Sequence, residues 1–448
     1  MTFLSGTRVH IVGVAGAGMS GVARLLHERG CEVSGSDAAL GDVTSALAAE
    51  GVSVSLDTEP TGGRDATILL SSPAVAPTHP TLVAARERGA TVLSRAEMLE
   101  ELGRMYDVVG LTGTHGKTTA TSMMVHVMAA ARRNDSWLLG AEVRGVGANG
   151  HAGTSRTLFL ETDESYGTFA RLAPSALGLL NVEADHLDYY GDLPALEAAF
   201  IALVDRTTGP VVVWTDDPGA RRVADAANRD VVTVGQSSQA QWRASDVQLD
   251  RRSARFTLQG DRLLPLALSV TGAHNVANAA TVAVLALQLG IDADAVAAGL
   301  AAFRGAPRRF EFCGRFGGFD VYEDYAHLPG EIMATLRAAR DAGYQRIVAV
   351  FQPHRFTRTV AVGDGFAAAF DEADEVIVTA IYAAGETNVS GVSGADVAES
   401  LRSHRQADVA YAASKREVLD LVVDCSGDAL FFIGAGDVGE WAHEVVMS

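Results

Sequence analysis

The sequence is nearly without lysine: of its 36 basic residues only Lys117 and Lys415 are not arginine. Basic residues as a class are outnumbered by 55 acids, for a net charge of −19. That balance excludes a nucleic acid or an anionic membrane surface as partner, since both are held by positive fields. Three cysteines, Cys31, Cys313 and Cys425, are too few and too scattered for a disulfide framework or a metal-binding spacing. They fit a reducing compartment. No charged stretch followed by an apolar one opens the chain, so no secretion signal is expected. The most apolar helical stretch, 276–291, is short and interrupted by Asn278 and Gln288, so no bilayer span is expected. No low-complexity linker is present. With 48% hydrophobic residues the chain can bury an ample core, and 448 residues suggest about three domains. A cytoplasmic protein acting on small molecules, monomeric or homodimeric, is the class left standing.

The scarce lysine marks the stretch that organises the rest. Residues 108–112 form a short apolar run that gives way to Gly113-Thr114-His115-Gly116-Lys117-Thr118-Thr119, followed by helix-prone residues 120–131. A strand, a glycine turn and a helix start bring backbone N–H groups and the helix dipole to bear on a polyphosphate. Leu111 occupies the first glycine position of the long phosphate-loop pattern, so the working pattern is the shorter Gly113-x-x-Gly116-Lys117-Thr118. Lys117 would reach the terminal phosphates of ATP and Thr118 would sit on Mg2+. In a chain written in arginine, a lysine here implies that a compact point charge is needed where a planar fork will not serve.

Residues 8–14 read as a strand, Gly16-Ala17-Gly18-Met19-Ser20-Gly21 as a glycine turn, 22–29 as a helix and 32–35 as a strand ending near Ser36-Asp37. Alone, this predicts a dinucleotide-binding unit with Asp37 as the ribose-binding acid. Further alternation follows, with strands at 67–71 and 91–93 and a helix at 80–88, and a boundary is expected at Gly103–Tyr106. Because a second nucleotide loop begins at 108, the first must serve another ligand.

Strands at 157–161 and 176–180 end in Glu161-Thr162-Asp163-Glu164 and in Asn181-Val182-Glu183-Ala184-Asp185-His186-Leu187-Asp188. Ligands bind at the carboxyl ends of parallel strands, and hard oxygens with one imidazole suit Mg2+. Some of these acids could instead cap the helices that follow, Glu164 and Asp188 first among them. Asn275 and Asn278 could hydrogen-bond an adenine edge, or Asn275 could be a simple N-cap. Beyond 308 the chain reads Arg308-Arg309-Phe310-Glu311, a strand at 320–323 leading to Asp324-Tyr325-Ala326-His327, and further strands at 346–351, 375–380 and 429–433 with a helix at 365–370. A second G-x-G-x-x-G, Gly434 to Gly439, has no acid downstream and reads as tight strand–helix packing. The expectation is an α/β protein of three domains. Residues 1–106 would form a Rossmann-like domain, 107–307 a phosphate-loop ATPase domain with a mostly parallel sheet, and 308–448 a second Rossmann-like domain.

Four stretches together resemble the Mur ligases, the ATP-dependent amide-forming enzymes of peptidoglycan precursor synthesis. They are Gly113–Thr119, the Glu161 strand end with Asn181 and Asp185-His186, Gly272-x-His274-Asn275-x-x-Asn278, and Arg309-Phe310-Glu311 with Asp324-Tyr325-Ala326-His327. The Gly16–Gly21 turn, Ser34-Gly35-Ser36-Asp37, His115 and the 351–359 stretch resemble the branch that joins L-alanine to the carboxylate of UDP-N-acetylmuramate. The resemblance covers essentially the whole chain. It implies that Gly16, Ala17, Gly18, Met19, Ser20, Ser36 and Asp37 hold a UDP-sugar rather than NAD. Lys117 would bind ATP phosphates, and Thr118, Glu161 and His186 would hold Mg2+. Asn275, Asn278, Arg309 and Asp324 would complete the ATP site. Tyr325, His327, Arg355 and Arg358 would meet the carboxylate and the incoming amino acid. The carboxylate would react through an acyl phosphate. Sibling ligases that add later residues carry a modified lysine after the Asp-His motif; here that segment reads Ala198-Ala199-Phe200 and has none, as in the alanine-adding branch.

Three stretches depart from the branch. Its His-His-Pro-Thr-Glu reads His327-Leu328-Pro329-Gly330-Glu331, its Glu-Ala-Asp-Glu-Ser-Asp reads Glu161-Thr162-Asp163-Glu164-Ser165-Tyr166, and its Gly-Thr-Asn reads Gly147-Ala148-Asn149. Metal and ATP residues survive all three, so the changes bear on substrate identity. A paralogue with another amino acid or acceptor would share every retained residue. An NAD-linked oxidoreductase would leave Lys117, Glu161 and His186 without a purpose, and a catalytically silent regulator would not need them.

Overall fold

The computed structural model describes residues 3–57, 63–404 and 408–447, without the side chains of Asp188 and Asp424. The chain forms two compact units, one of Met1–Val247, Arg255–Leu268 and Asn275–Arg304, the other of Gln248–Ala254, Ser269–His274 and Gly305–Ser448.

The first unit holds two sheets. One has five parallel strands in the order Ser53–Leu56, Glu32–Asp37, Arg8–Val12, Ile68–Ser71 and Thr91–Ser94. Its central strands are apolar on both faces, with Val9, Ile11, Leu69 and Leu70 buried, because helices cover a parallel sheet on both sides. The other sheet has ten strands and is built around Asp107–Thr112. Parallel neighbours flank that strand, Thr157–Thr162 on one side and Ala176–Leu179 on the other, with Thr112 in register with both Thr162 and Leu179. Three loops therefore leave one sheet edge side by side. Ser136–Leu138 and Gly150–His151 form one edge of this sheet; on the other side strands Val211–Trp214 and Val232–Gly235 extend it in parallel, and Trp242–Asp250, Ser253–Gln259 and Leu263–Leu268 complete it. No expectation had been set for any of these strands.

The second unit carries a six-stranded sheet in the order Glu311–Phe316, Phe319–Asp324, Ala429–Ile433, Ile347–Phe351, Glu375–Thr379 and Asp408–Ala412. Only its first pair is antiparallel. The α/β class with largely parallel sheets agrees with the sequence reading.

One local expectation is corrected. The first helix is Ala17–Glu28, so it begins inside the glycine fingerprint rather than after it. Gly103 lies within the helix Arg95–Met105, which runs straight into the strand at Asp107. The helix read at 365–370 is a 3-10 helix and spans 363–370. Among the described residues, no helix is long and apolar enough to cross a membrane.

Candidate active site

The phosphate-loop turn is laced to the neighbouring strand end. Gly113 sits at φ 143, where a Cβ would fall 2.9 Å from the Asn181 carbonyl oxygen. That carbonyl accepts from Thr114 N–H at 3.1 Å, and the Asn181 side chain brackets His115 by accepting from its N–H (2.7 Å) and donating to its carbonyl (3.0 Å). Thr114 Oγ1 accepts from Glu183 N–H at 2.9 Å, and the His115 ring lies 3.4 Å from the Glu183 carboxylate. Gly116 closes the turn in the left-handed region at φ 82, and a Cβ there would fall 2.7 Å from Asn278 Oδ1. Only glycine tolerates both the dihedral and the contact. Asn278 is thus packed on the turn itself. Asn275 is buried in the first turn of the helix Ala273–Gln288 and is not its N-cap.

Lys117 opens the helix Lys117–Ala130 and turns its ammonium toward acids. Nζ donates to both Glu164 oxygens, at 3.0 and 2.8 Å, and to Thr114 O at 3.1 Å, with Asp163 Oδ1 at 3.7 Å. Burial alone would depress the lysine pKa, but Glu164, Asp163 and Glu161 outweigh it and hold the pKa above the ordinary value. The ammonium stays charged. Burial drives Glu164 upward and Lys117 only partly offsets this. Asp163 moves down, because Lys117, Arg95 and hydrogen bonds from Ser165 overcome its burial. Glu164 had been read as a helix cap. It is 0% exposed, makes no side-chain cap, and is committed to Lys117, a partner supplied by another loop and invisible in local sequence.

Thr118 and Glu161 meet: Thr118 Oγ1 donates to Glu161 Oε1 at 2.9 Å, and Gly140 N–H donates to Oε2 at 2.7 Å. Thr119 is buried one residue further along the helix. His186 belongs to a second group, with Nε2 3.9 Å from Glu164 Oε1 and 3.6 Å from Asp185 Oδ2. Donor atoms of Asp163, Glu164 and His186 all lie within 4.8 Å of one another. The three expected metal residues therefore fall into two groups, Thr118 with Glu161, and His186 with two acids to which no metal role had been given.

At the N-terminal fingerprint Gly16 is the N-cap of the first helix. Met19 and Ser20 N–H donate to Gly16 O and both side chains are buried, while Ala17 at the helix start is exposed and Gly18 half-buried. Ser36 and Asp37 shape the turn from below. Ser36 O accepts from Gly13 and Val14, and Asp37 Oδ2 accepts from Ala15 N–H at 2.8 Å. Over Gly18 lies the Arg95 guanidinium, 3.0 Å from where a Cβ would stand, and Arg95 also reaches to 3.8 Å from Asp163. A crevice is lined by Gly18, Arg95, Leu138, Gly140 and Glu161. Nothing in its own helix marks Arg95 in the sequence. Asn149 is buried and structural, donating to Ala17 O and Ser20 Oγ and accepting from Arg24.

The remaining candidates lie in the second unit. Asp324 is buried, accepting from Phe310 N–H at 2.7 Å and Ala326 N–H at 2.8 Å, and burial raises its pKa. Arg309 stands 5.2 Å over the Tyr325 ring, and that ring meets His327 edge-on at 5.4 Å. Arg358 Nη1 lies 2.9 Å from His354 Nδ1, while Arg355 is exposed at the N-cap of Phe356–Val362 with φ 68. Glu331 accepts from the N–H groups of His327 and Leu328, which caps the helix Pro329–Asp341. Gly330 is the second residue of that helix. Leu328 is half-buried and is itself the cap residue. Tyr166, at the second departure, is 62% exposed and lies edge-on to Tyr189.

Known families agree with this architecture. Residues 8–107 match the Mur ligase family catalytic domain, 111–286 the Mur ligase middle domain, and 308–436 the Mur ligase glutamate ligase domain. The UDP-N-acetylmuramate–L-alanine ligase of Thermobifida fusca is 40% identical over 455 residues, covering 98% of this chain and 96% of its own. That of Brucella anthropi is 36% identical, with 97% of this chain and 96% of its own covered. The crystal structure of the UDP-N-acetylmuramate–alanine ligase of Thermotoga maritima superposes with a TM-score of 0.80 at 30% identity, covering 98% of each chain. With its phosphate loop, its acid cluster and this likeness along its whole length, the chain belongs to the Mur ligase family of ATP-dependent, amide-bond-forming ligases.

Proposed function

We propose that this enzyme joins L-alanine to the carboxylate of UDP-N-acetylmuramate in the cytoplasm, as a step of peptidoglycan precursor synthesis, using ATP and Mg2+. The observation that carries the chemistry is the Lys117 ammonium, fixed at a helix N-terminus among Glu161, Asp163 and Glu164. The choice of substrate rests on relatives of that activity matching 97–98% of this chain.

Amide formation from a carboxylate needs activation, because the anion is a poor electrophile. A carboxylate oxygen attacks the γ-phosphorus of ATP, the bond to ADP breaks, and an acyl phosphate forms. The amine nitrogen then attacks the acyl carbon, the C–O bond to phosphate breaks, and the amine gives up a proton. Lys117 would neutralise charge on the transferring phosphoryl group, which is positional and electrostatic catalysis. Glu164 and Asp163 hold that ammonium in place until phosphate oxygens compete for it. The donor set fits Mg2+: hard carboxylate oxygens, a hydroxyl and one imidazole. Thr118 with Glu161, or His186 with Asp163 and Glu164, would hold it, and its charge would offset that of the phosphates.

On this reading Gly16 to Gly18 take the UDP diphosphate at the helix start, with Ser36 and Asp37 setting the shape of the turn. Asn278 braces the phosphate loop and Asn275 serves the adenine. Arg309, Asp324, Tyr325, His327, Arg355 and Arg358 serve nucleotide and amino acid from the second unit. The functional domains would be 1–106, 107–307 and 308–448. Phosphate release measured over a panel of amino acids and UDP-muramyl acceptors tests the proposal. L-alanine with UDP-N-acetylmuramate should give the highest kcat/KM. Preference for another pair would overturn the substrate, and no release with any pair would overturn the ligase chemistry.

A further inference from the structure

We propose that Cys313, Glu323 and His443 form a binding site for a borderline-soft divalent ion, Zn2+ or Co2+, distinct from the oxygen-rich cluster around Lys117. The three residues come from the antiparallel strand pair Glu311–Phe316 and Phe319–Asp324 and from the helix Val438–Met447, all within the second unit. Their donor atoms lie within 4.8 Å of one another.

The strand pairing shows how the sulfur is aimed. Glu311 faces Glu323 and Phe312 faces Tyr322, but the next pair is Gly314 with Val321, which leaves Cys313 as the extra residue of a bulge. Bulges re-aim a side chain that a regular ladder would place elsewhere. Here the thiol arrives beside the carboxylate of the facing strand. His443 Nε2 stands 3.1 Å from Glu323 Oε2 and 3.9 Å from Cys313 Sγ. A tetrahedral Zn2+ with ordinary bond lengths spaces its sulfur and nitrogen ligands about 3.6 Å apart, and its nitrogen and oxygen ligands about 3.4 Å apart. The observed spacings sit within a few tenths of an ångström of both.

The surroundings fit as well. Glu323 Oε1 accepts from Arg308 Nε, and Arg308 is anchored in turn on Gly434 O at 3.1 Å and Gly436 O at 2.8 Å. That orients Oε2 toward the imidazole, as outer partners orient metal-binding carboxylates. Gly439 is required by the same approach, since a Cβ there would fall 1.8 Å from Glu323 Oε1. His443 is exposed, so a water can supply the fourth position. A sulfur donor selects Zn2+ or Co2+ over Mg2+. Binding converts the Cys313 thiol to thiolate and releases its proton to solvent. The ion would pin the strand pair to the C-terminal helix.

Titration of the full-length protein with Co2+, read by absorbance, tests the site. Wild type should bind one Co2+ with a thiolate-to-metal charge-transfer band that persists in excess Mg2+ and in the double variant Cys31→Ser, Cys425→Ser. Cys313→Ser should abolish the band, and His443→Asn should weaken the apparent affinity at least about tenfold. Co2+ should raise the Tm of wild type and not of Cys313→Ser. Absence of the band in wild type, its survival in Cys313→Ser, or unchanged affinity in His443→Asn would each overturn the proposal.

Discussion

The strands Asp107–Thr112 and Ala429–Ile433 each run out of a largely parallel sheet into a glycine, Gly113 at φ 143 and Gly434 at φ 155, and each then opens a helix. In both, a Cβ on that glycine would collide with a carbonyl of the adjacent strand end, Asn181 O at 2.9 Å and Gln352 O at 2.8 Å. The two glycines are placed alike, but Gly116 closes the first turn at φ 82 where Asp437 closes the second without a positive φ, and the side chains at the helix start differ. At the second turn Gln352 Oε1 accepts from Val438 N–H at 3.2 Å, Gln352 Nε2 donates to Asp437 at 2.7 Å, and Arg308 takes the carbonyls of Gly434 and Gly436. The protein itself has filled the place an anion would take. At the first turn the helix start offers Lys117 and a ring of acids instead. Glycine spacing thus reports that two backbones pass closely, and the residue after the turn reports whether chemistry happens there.

The sharpest break of this comparison is at Lys117. Lys117→Arg should lower phosphate release by about 10^3-fold or more with the fold retained, because the guanidinium fork cannot present a single point charge in a pocket shaped by Glu164. Full activity would make the first turn as structural as the second. A smaller loss is expected one step away. Glu161→Ala or His186→Ala should lower kcat about 10^2-fold while the KM for ATP stays within a few-fold, since both act on the reacting phosphoryl group more than on nucleotide binding. Wild-type turnover at saturating Mg2+ would separate that residue from the chemistry.

The first turn was legible in sequence because lysine is so rare in this chain that its position stands out. The α/β class was legible because buried parallel strands read as continuous apolar runs. What stayed hidden is tertiary. Glu164 looked like a cap because its partner, Lys117, is far away in sequence. The start of the first helix at Ala17 was obscured by glycines and alanines, which are compatible with turn and helix alike. Arg95 gains its importance only when its helix is set beside Gly18 and Asp163. The strand at 263–268 carries its signal in the sequence: Leu264, Leu266 and Leu268 are buried alternately with exposed neighbours, a period of two. Both oxygens of Asp324 accept backbone N–H groups, a use no pattern of residue types announces.

The second turn should break in stability rather than in catalysis. Gln352→Leu keeps the size of the side chain but leaves Val438 N–H and Asp437 without their partner. A buried donor so abandoned costs about 1–3 kcal/mol. Thermal unfolding should therefore shift down, while kcat/KM for ATP stays within about threefold. A loss of catalysis matching that of Glu161→Ala would show the two turns to be alike in purpose.

The smallest effect concerns protons, and it contrasts the two units again. Lys117 is held charged by the acids around it, whereas His354 is held neutral: burial first, then Arg358, His327 and Arg355, lower its pKa to about 4 from the ordinary 6.5. In this state the His354 ring can accept from Arg358 Nη1 at 2.9 Å, which an imidazolium could not. The folded pKa lies below the unfolded one, so the unfolded chain takes up the proton first as pH falls. Stability from this group is therefore whole above about 6.5 and is lost as pH drops toward about 4. An imidazole NMR titration of the wild type should show no His354 transition between neutrality and pH 6. Arg358→Gln removes one of the lowering charges, so the transition should move upward, and the acid-side loss of stability should shrink with it. A wild-type His354 that titrates at its ordinary value would mean that Arg358 does not bear on the ring, and the second unit would then hold a protonatable group near neutral pH.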